Sequence, residues 1–228
     1  MSERENIIAR MREALSVSAP WPGQDHGKGR EMPIQSSIAD QREVLPAVGE
    51  SFEEQLTLFR ANAAELRADF RLLNDVNALA AELKGLRAAE GWQRVAAHGG
   101  DLTGAACRAL ALPVMLTDQA YDKRGLAACD AGITECDALV AQTGSVLVTN
   151  RSAGGRALSV LPPHHVVLAR REQLVPDLPA AFALLKAKYG GAYPSMISFV
   201  TGPSRTGDIE RILVLGAHGP KKLTILCF

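Results

Sequence analysis

A regular alternation of strand and helix patterns constrains the fold of this chain more than any other feature. In residues 66–72 apolar and charged side chains alternate, which is typical of a half-exposed strand. A stretch with apolar residues at helical spacing follows and ends at Gly91. Residues 92–97 then predict a strand, 102–110 a helix and 114–117 another strand. Such alternation occurs in parallel sheets covered by helices, so we expect an α/β fold with an open, mostly parallel sheet.

The second half of the chain predicts shorter strands. Short apolar runs on either side of Thr143-Gly144 indicate a turn and some antiparallel pairing in the middle of the chain. Asp130, Glu135 and Asp137 surround Gly132, and we interpret this segment as a loop. The remaining predicted strands are residues 138–141, 146–149, 158–161, 166–169, 196–200 and 223–227, with a helix at 178–188.

The N-terminal part of the chain has a different pattern. Ser2 and Glu5 form a capping box before a helical apolar stripe that ends near Leu15. Proline and glycine then interrupt residues 18–49, which lack any period. A second capping box, Ser51 with Glu54, opens the main body. We therefore expect residues 1–50 to form an N-terminal helical arm and flexible linker, and residues 51–228 to form the α/β domain.

Composition excludes several classes of function. The 228 residues carry 25 basic and 25 acidic side chains, a net charge of zero, which argues against bulk electrostatic binding of nucleic acid or acidic membranes. No apolar run is long enough for a membrane span or a secretory signal. The four cysteines lack metal-binding spacing, so we expect no metal and no cluster in this chain. The chain is thus predicted to be cytoplasmic.

The sharpest candidate site is the loop of residues 201–208. Glycine allows a ligand to approach the backbone closely, hydroxyls and a guanidinium bind anions, and a helical turn after the loop would present free N–H groups. This chemistry favours a carboxylate or phosphate ligand, although an ordinary β-to-α turn with an internal ion pair explains the same residues. The ligand-binding candidates here are Gly202, Ser204, Arg205, Thr206 and Asp208.

Two further segments have comparable chemistry. The ligand-binding candidates of the first are Thr143, Gly144, Ser145, Arg151 and Arg156. A surface hairpin with solvated arginines is the alternative. In the second, glycines flank His218 and would let its imidazole act as an acid or base, with a tight turn as the alternative. Glu135 is the other candidate for proton transfer, although capping and solvation explain most such carboxylates.

Three segments resemble the LUD domain of the lactate-utilization protein C family. They are GITECDALVAQTGSVLV at 132–148, SVLPPHHVVL at 159–168 and TGPSRTGDIERILVLGAHGP at 201–220. The resemblance extends over about residues 51–228. Two positions depart from the family pattern: Gln142 stands where an acidic residue is usual, and Gly207 stands where alanine is usual. The first departure weakens the idea of a catalytic carboxylate at that position.

The resemblance implies a Rossmann-like fold of the kind found in ribose-phosphate isomerase, glucosamine-phosphate deaminase and CoA transferases. It also implies a role in a bacterial system that oxidises L-lactate to pyruvate. The partner subunits would carry iron–sulfur clusters, and this chain would be the cluster-free member that binds a small carboxylate or its partners. The alternative is an independent enzyme acting on a phosphorylated or CoA-linked small molecule. Whether the chain is itself catalytic stays open at this point.

Overall fold

The computed structural model describes residues 7–10, 12–13, 45–119, 121–206, 214–216 and 218–228. Residues 7–10 and 12–13 are helical, and the chain divides into two compact units, Met1–Glu43 and Val44–Phe228. The predicted linker lies mostly outside the described residues, so the boundary at residue 50 stays a prediction.

The second unit alternates helices and strands as the sequence predicts. Its helices are α1 (Phe52–Glu65), α2 (Val76–Glu90), α3 (Asp101–Leu110), α4 (Lys123–Ala127) and α5 (Leu178–Tyr189). Its strands are β1 (Asp69–Leu72), β2 (Val95–Ala97), β3 (Val114–Leu116), β4 (Ala131–Glu135), β5 (Ala138–Val140), β6 (Ser145–Thr149), β7 (His164–Ala169), β8 (Leu174–Val175), β9 (Ile197–Val200), β10 (Arg205–Thr206), β11 (Val214–Leu215) and β12 (Lys222–Cys227).

Local sequence chemistry fixes the helix ends. The Ser51 hydroxyl accepts from the N–H of Glu54 and the Glu54 carboxylate accepts from the N–H of Ser51, which is the predicted capping box. Helix α2 ends at Gly91 in the left-handed conformation, as predicted. Its N-cap is Asp75, whose side chain accepts from two backbone N–H groups of the first turn.

Six parallel strands form the main sheet, in the order β1-β12-β7-β4-β2-β3. A smaller sheet has the order β8-β5-β6-β9, and β6 pairs antiparallel with both β5 and β9. The α/β class, the mostly parallel sheet and the antiparallel pairing around Thr143-Gly144 are therefore confirmed. Strand β9 belongs to the small sheet, a placement that its sequence does not reveal.

Apolar layers hold these elements together. Helices α2 and α3 pack on one face of the main sheet, where residues such as Leu83, Leu110 and Val166 are fully buried. The small sheet and α1 pack on the opposite face, around Phe59 and Val167. Helix α5 covers the outer face of the small sheet. Because strand residues alternate in direction, neighbours such as Val166 and Val167 enter different layers.

Two local predictions were wrong. The segment around Gly132 is the buried strand β4 and not a loop. Glycine fits inside this strand because a Cβ at position 132 would meet the backbone carbonyl of Leu158. The segment 158–161 is a turn and not a strand, since the N–H groups of Val160 and Leu161 both donate to the carbonyl of Ala157. This turn has the apolar composition of a strand although Val160 and Leu161 are exposed, so the pattern alone did not separate the two structures.

Candidate functional site

The direction in which the strand order progresses reverses between the carboxyl ends of β2 and β4, and we call this position the carboxyl-edge crevice. After β2 the chain continues to β3 on one side, whereas after β4 it returns towards β7 on the other side. Ligands of open α/β sheets bind at such a reversal. His98 follows β2 directly, and Glu135 is the last residue of β4, so both lie at this carboxyl edge of the main sheet.

Glu135 places its carboxylate on the N-terminus of α3. Its Oε1 accepts hydrogen bonds from the N–H groups of Leu102 (3.0 Å) and Thr103 (3.3 Å). The N-cap residue Gly100 provides no side-chain cap, and a Cβ at this position would overlap the Glu135 oxygen. The partial positive charge of a helix N-terminus favours an anion there. The crevice therefore contains a carboxylate site that a side chain of the protein occupies.

His98 lies beside this carboxylate and is 6% exposed. Its Nε2 accepts a hydrogen bond from the backbone N–H of Glu135 (3.3 Å), which requires that nitrogen to be unprotonated. Burial lowers the pKa of His98 below 6.5, although the nearby carboxylates of Glu135 and Asp118 oppose the shift. The neutral imidazole therefore uses its one acceptor nitrogen to hold the Glu135 backbone beside the Glu135 carboxylate.

A buried network around Asp137 adjoins the crevice. Its Oδ1 accepts from Lys188 Nζ and Tyr189 Oη, both at 2.6 Å, and its Oδ2 accepts from Ser152 Oγ at 2.7 Å. Burial alone would raise the pKa of Asp137, but these three donors outweigh it and hold the pKa below 3.8. The carboxylate is thus ionised and ties α5 to the segment after β6.

The two arginines of that segment lie near the same edge. The Arg151 guanidinium stands 5.1 Å from the ring centre of Tyr189 and donates to the carbonyl of Ala192 at 3.2 Å. Arg156 donates to the carbonyl of Ser195 at 2.8 Å. Each guanidinium has further N–H groups beyond these bonds, so both can hold an anion. Of the predicted site residues, Glu135, Arg151 and Arg156 thus lie towards the same edge, and no hydrogen bond or ion pair among the described residues joins either arginine to Glu135.

The other predicted residues lie at the opposite end of the small sheet. Ser145 Oγ lies 2.8 Å from Thr201 Oγ1, and the next residue, Gly202, packs against the carbonyl of Leu66 just before β1. The Ser204 N–H donates to the carbonyl of Pro220 at 2.9 Å. This group therefore adjoins the amino ends of β1 and β12. It comprises Thr143, Gly144, Ser145, Gly202, Ser204, Arg205 and His218.

The described part of the loop of residues 201–208 does not lie at the carboxyl ends of the parallel strands, where open α/β sheets bind their ligands. The loop follows β9, which is an antiparallel strand of the small sheet, so the rule for parallel strands does not apply to it. Thr206 lies in strand β10 and not at a helix start, whereas Asp208 lies outside the described residues. Arg205 and Leu215 are paired across the hairpin of β10 and β11.

Sequence reasoning missed four residues of the carboxyl edge: His98, Ser152, Lys188 and Tyr189. The position of His98 between a predicted strand and a predicted helix, before Gly99-Gly100, was a usable signal. Lys188 and Tyr189 end a helix with ordinary composition, and only tertiary structure brings them to Asp137.

The profile of the LUD domain family matches residues 32–227 of this chain. The chain belongs to the LUD domain family. The resemblance of the three sequence segments to this family is thereby confirmed.

Several relatives of this LUD domain have the name lactate utilization protein C. Lactate utilization protein C 1 of Bacillus mycoides (strain KBAB4) is 37% identical over 107 residues, 46% of either chain. The protein of Geobacillus kaustophilus (strain HTA426) is 38% identical over 95 residues, 41% of this chain and 40% of that one. Each match therefore spans less than half the length of the relative.

A solved structure supports the fold. The crystal structure of a DUF162 family protein from Deinococcus radiodurans superposes with a TM-score of 0.60 and 19% identity. The superposition covers 78% of this chain and 99% of the other.

The described part of this LUD domain offers anion and proton chemistry. Within it, His, Cys, Asp and Glu side chains form no group of three or more that could hold a metal ion. Among the same residues no helix is long and apolar enough to cross a membrane. The carboxyl edge combines a helix N-terminus, a neutral imidazole and three basic side chains, a set suited to a small carboxylate.

Proposed function

We propose that this chain is a cytoplasmic component of a bacterial lactate utilization system and that its carboxyl-edge crevice binds a small carboxylate. The names of the relatives support the role in lactate utilization. The observation that carries the choice of ligand is the Glu135 carboxylate on the N–H groups of α3, beside the neutral His98. These N–H groups bind a carboxylate of the protein, and the same donors and helix dipole favour the carboxylate of a ligand.

Within this proposal, the ligand carboxylate exchanges with that of Glu135. The released Glu135 carboxylate then faces the hydroxyl of a 2-hydroxy acid and can accept its proton, while His98 holds the Glu135 backbone through Nε2. Oxidation of lactate to pyruvate releases two electrons and two protons. Glu135 would take the hydroxyl proton, and the C2 proton and the two electrons would pass to partner subunits, whose iron–sulfur clusters would accept the electrons. The chain contributes binding and proton chemistry and no cluster of its own.

Titration of the full chain with L-lactate and pyruvate tests the crevice. We expect His98→Gln to weaken binding by about tenfold, equivalent to ~1.4 kcal/mol and to the loss of one hydrogen bond. We expect Glu135→Gln to strengthen it, because a neutral amide competes less well for the N–H groups of α3. Weaker binding in Glu135→Gln would contradict the exchange. A loss in Arg205→Ala alone would move the ligand to the amino end of the sheet.

The role in the system needs a separate assay. Purification with the candidate partners, followed by lactate oxidation with and without this chain, measures its contribution. Activity that does not depend on this chain would refute the subunit role. Turnover of a phosphorylated or CoA-linked substrate by this chain alone would favour an independent enzyme instead.

A further inference from the structure

A charged cleft lies at the amino edge of the main sheet, opposite the carboxyl-edge crevice. It consists of two adjacent depressions of about 230 and 180 Å³ that share Glu90, His164, Lys221 and Lys222. His164 and Lys222 begin the neighbouring strands β7 and β12, which places the cleft where these parallel strands start. We call it the His164 cleft.

Positive charge is in excess by one in the His164 cleft, since its two depressions are lined by four basic side chains and by three carboxylates, those of Asp69, Glu90 and Asp130. The smaller depression is also lined by Arg67, Asp69 and Arg71. Arg71 is paired with Asp69 at 2.6 Å, and Lys222 with Glu90 at 2.6 Å. Arg67 and Lys221 have no ion-pair partner among the residues that the structure describes.

His164 contributes a buried polar atom without a partner. Its ring is 4% exposed, and Nε2 lies 2.9 Å from Thr224 Oγ1. Its Nδ1 is buried and has no hydrogen-bond partner in the described part of the chain. Buried polar atoms are almost always hydrogen-bonded, so a bound oxygen in the cleft would complete this ring.

The backbone of Arg67 is strained where the side chain reaches the cleft. Arg67 has a φ of 61°, in the left-handed region. It follows α1 at a position where helices usually place glycine, with its N–H donating to Ala64 and that of Ala68 donating to Ala63. An arginine there reduces stability, and residues held in such conformations cluster at ligand sites.

We propose that the His164 cleft binds a small, doubly charged oxyanion, namely phosphate or a short phosphate ester. The Arg67 guanidinium forms a fork that matches two phosphate oxygens, and Lys221 adds a second charge. A third oxygen lies beside His164, which lines both depressions. Sites for larger molecules start at roughly 300 Å³, so the depressions suit phosphate better than a nucleotide. Pro203 lines the same cleft, so the cleft lies beside the loop of residues 201–208, whose residue types favour anions.

Calorimetric titration of the full chain with inorganic phosphate at low ionic strength tests the site. We expect saturable binding that Lys221→Ala and Arg67→Gly each weaken by about fivefold to tenfold. Arg67→Gly should raise the midpoint of thermal unfolding while it weakens binding, which separates a ligand role from a structural one. Lys84→Ala, a matched loss of one positive charge on the far side of α2, should leave phosphate binding unchanged.

Nitrogen NMR of the histidine rings gives an independent readout. Phosphate should shift the Nδ1 resonance of His164, and L-lactate at equal concentration should shift that of His98. Absence of saturable phosphate binding, or an equal loss in Lys84→Ala, would overturn the proposal. Lactate shifts confined to His164 would overturn the assignment of the carboxyl-edge crevice and leave the anion site at the amino edge standing.

Discussion

Replacement of Asp137 by alanine tests the network that holds the carboxyl edge together. The side chain is fully buried and accepts three hydrogen bonds, from Lys188, Tyr189 and Ser152. Removing one partner of a buried ion pair costs ~3–5 kcal/mol. Because Lys188 is 50% exposed and can regain water, we expect the lower end, about 3 kcal/mol. For a domain of this size the midpoint of thermal unfolding should fall by roughly 6–12 °C.

Urea unfolding at pH 7 measures the loss. Asp137→Asn keeps an acceptor oxygen and should lose about 1–2 kcal/mol. Asp75→Asn is the matched control, since asparagine caps a helix as well as aspartate and should change stability by less than about 0.5 kcal/mol. A loss below about 1 kcal/mol in Asp137→Ala would refute the view that these three donors depend on this carboxylate.

The pH dependence of the same variants tests the charge. The folded-state pKa of Asp137 lies below its ordinary value of 3.8, so the carboxylate stabilises the fold above about that pH. This contribution is lost as the pH falls through the folded-state value, because protonation then removes the attraction for Lys188. The stability difference between wild type and Asp137→Asn should therefore shrink below pH 3.8. A stability difference that stays constant down to about pH 2.5 would contradict this assignment.

Three further predictions follow from buried and tightly packed positions. Gly154→Ala should destabilise by about 2–4 kcal/mol in urea unfolding, since its φ is 59° and a Cβ would overlap His98. Gly155→Ala, with a φ of 108° but nothing within 4 Å, should lose only about 1 kcal/mol. Burial lowers the pKa of His164 to about 4 and that of His165 to about 3 from 6.5. The histidine rings of the unfolded chain bind protons at a higher pH than those of the folded chain. The free energy of unfolding should therefore fall between pH 6.5 and 4 by up to ~1.4 kcal/mol per pH unit for each ring. A pH slope in His165→Gln equal to that of the wild type would contradict this.

The elements that sequence predicts well are those with local determinants. The capping box of Ser51 and the left-handed Gly91 depend on residues a few positions apart, and the structure has both. The strand predicted at residues 66–72 begins only at Asp69, because Leu66 and Arg67 end α1. Strand β4 escaped prediction because alanine and glycine occupy positions where strands usually have branched residues. Its glycine is explained only by the carbonyl of Leu158, which is distant in the sequence.

The candidate site was predicted only in part, because its residue types are local features whereas its assembly depends on distant contacts. Residue types that bind anions can be recognised one loop at a time, but which loops meet depends on long-range pairing. His98 and Glu135 are 37 positions apart, and Asp137 and Lys188 are 51 apart. No local pattern joins these pairs. The assignment of β9 to the small sheet decides that Arg205 and Arg151 serve different ends of the molecule.

Charge illustrates why the separation into two edges matters for function. The chain is neutral as a whole, which excludes long-range attraction of a polyanion but says nothing about single clefts. At the amino edge four basic side chains face three carboxylates, an excess of one positive charge, whereas at the carboxyl edge Glu135 already neutralises the N-terminus of α3. A monoanion that displaces one carboxylate suits the carboxyl edge, and a dianion suits the amino edge. Because the rigid parallel strands of the main sheet separate the two, lactate and phosphate should bind together without competing, and competition between them would mean that both anions use one edge.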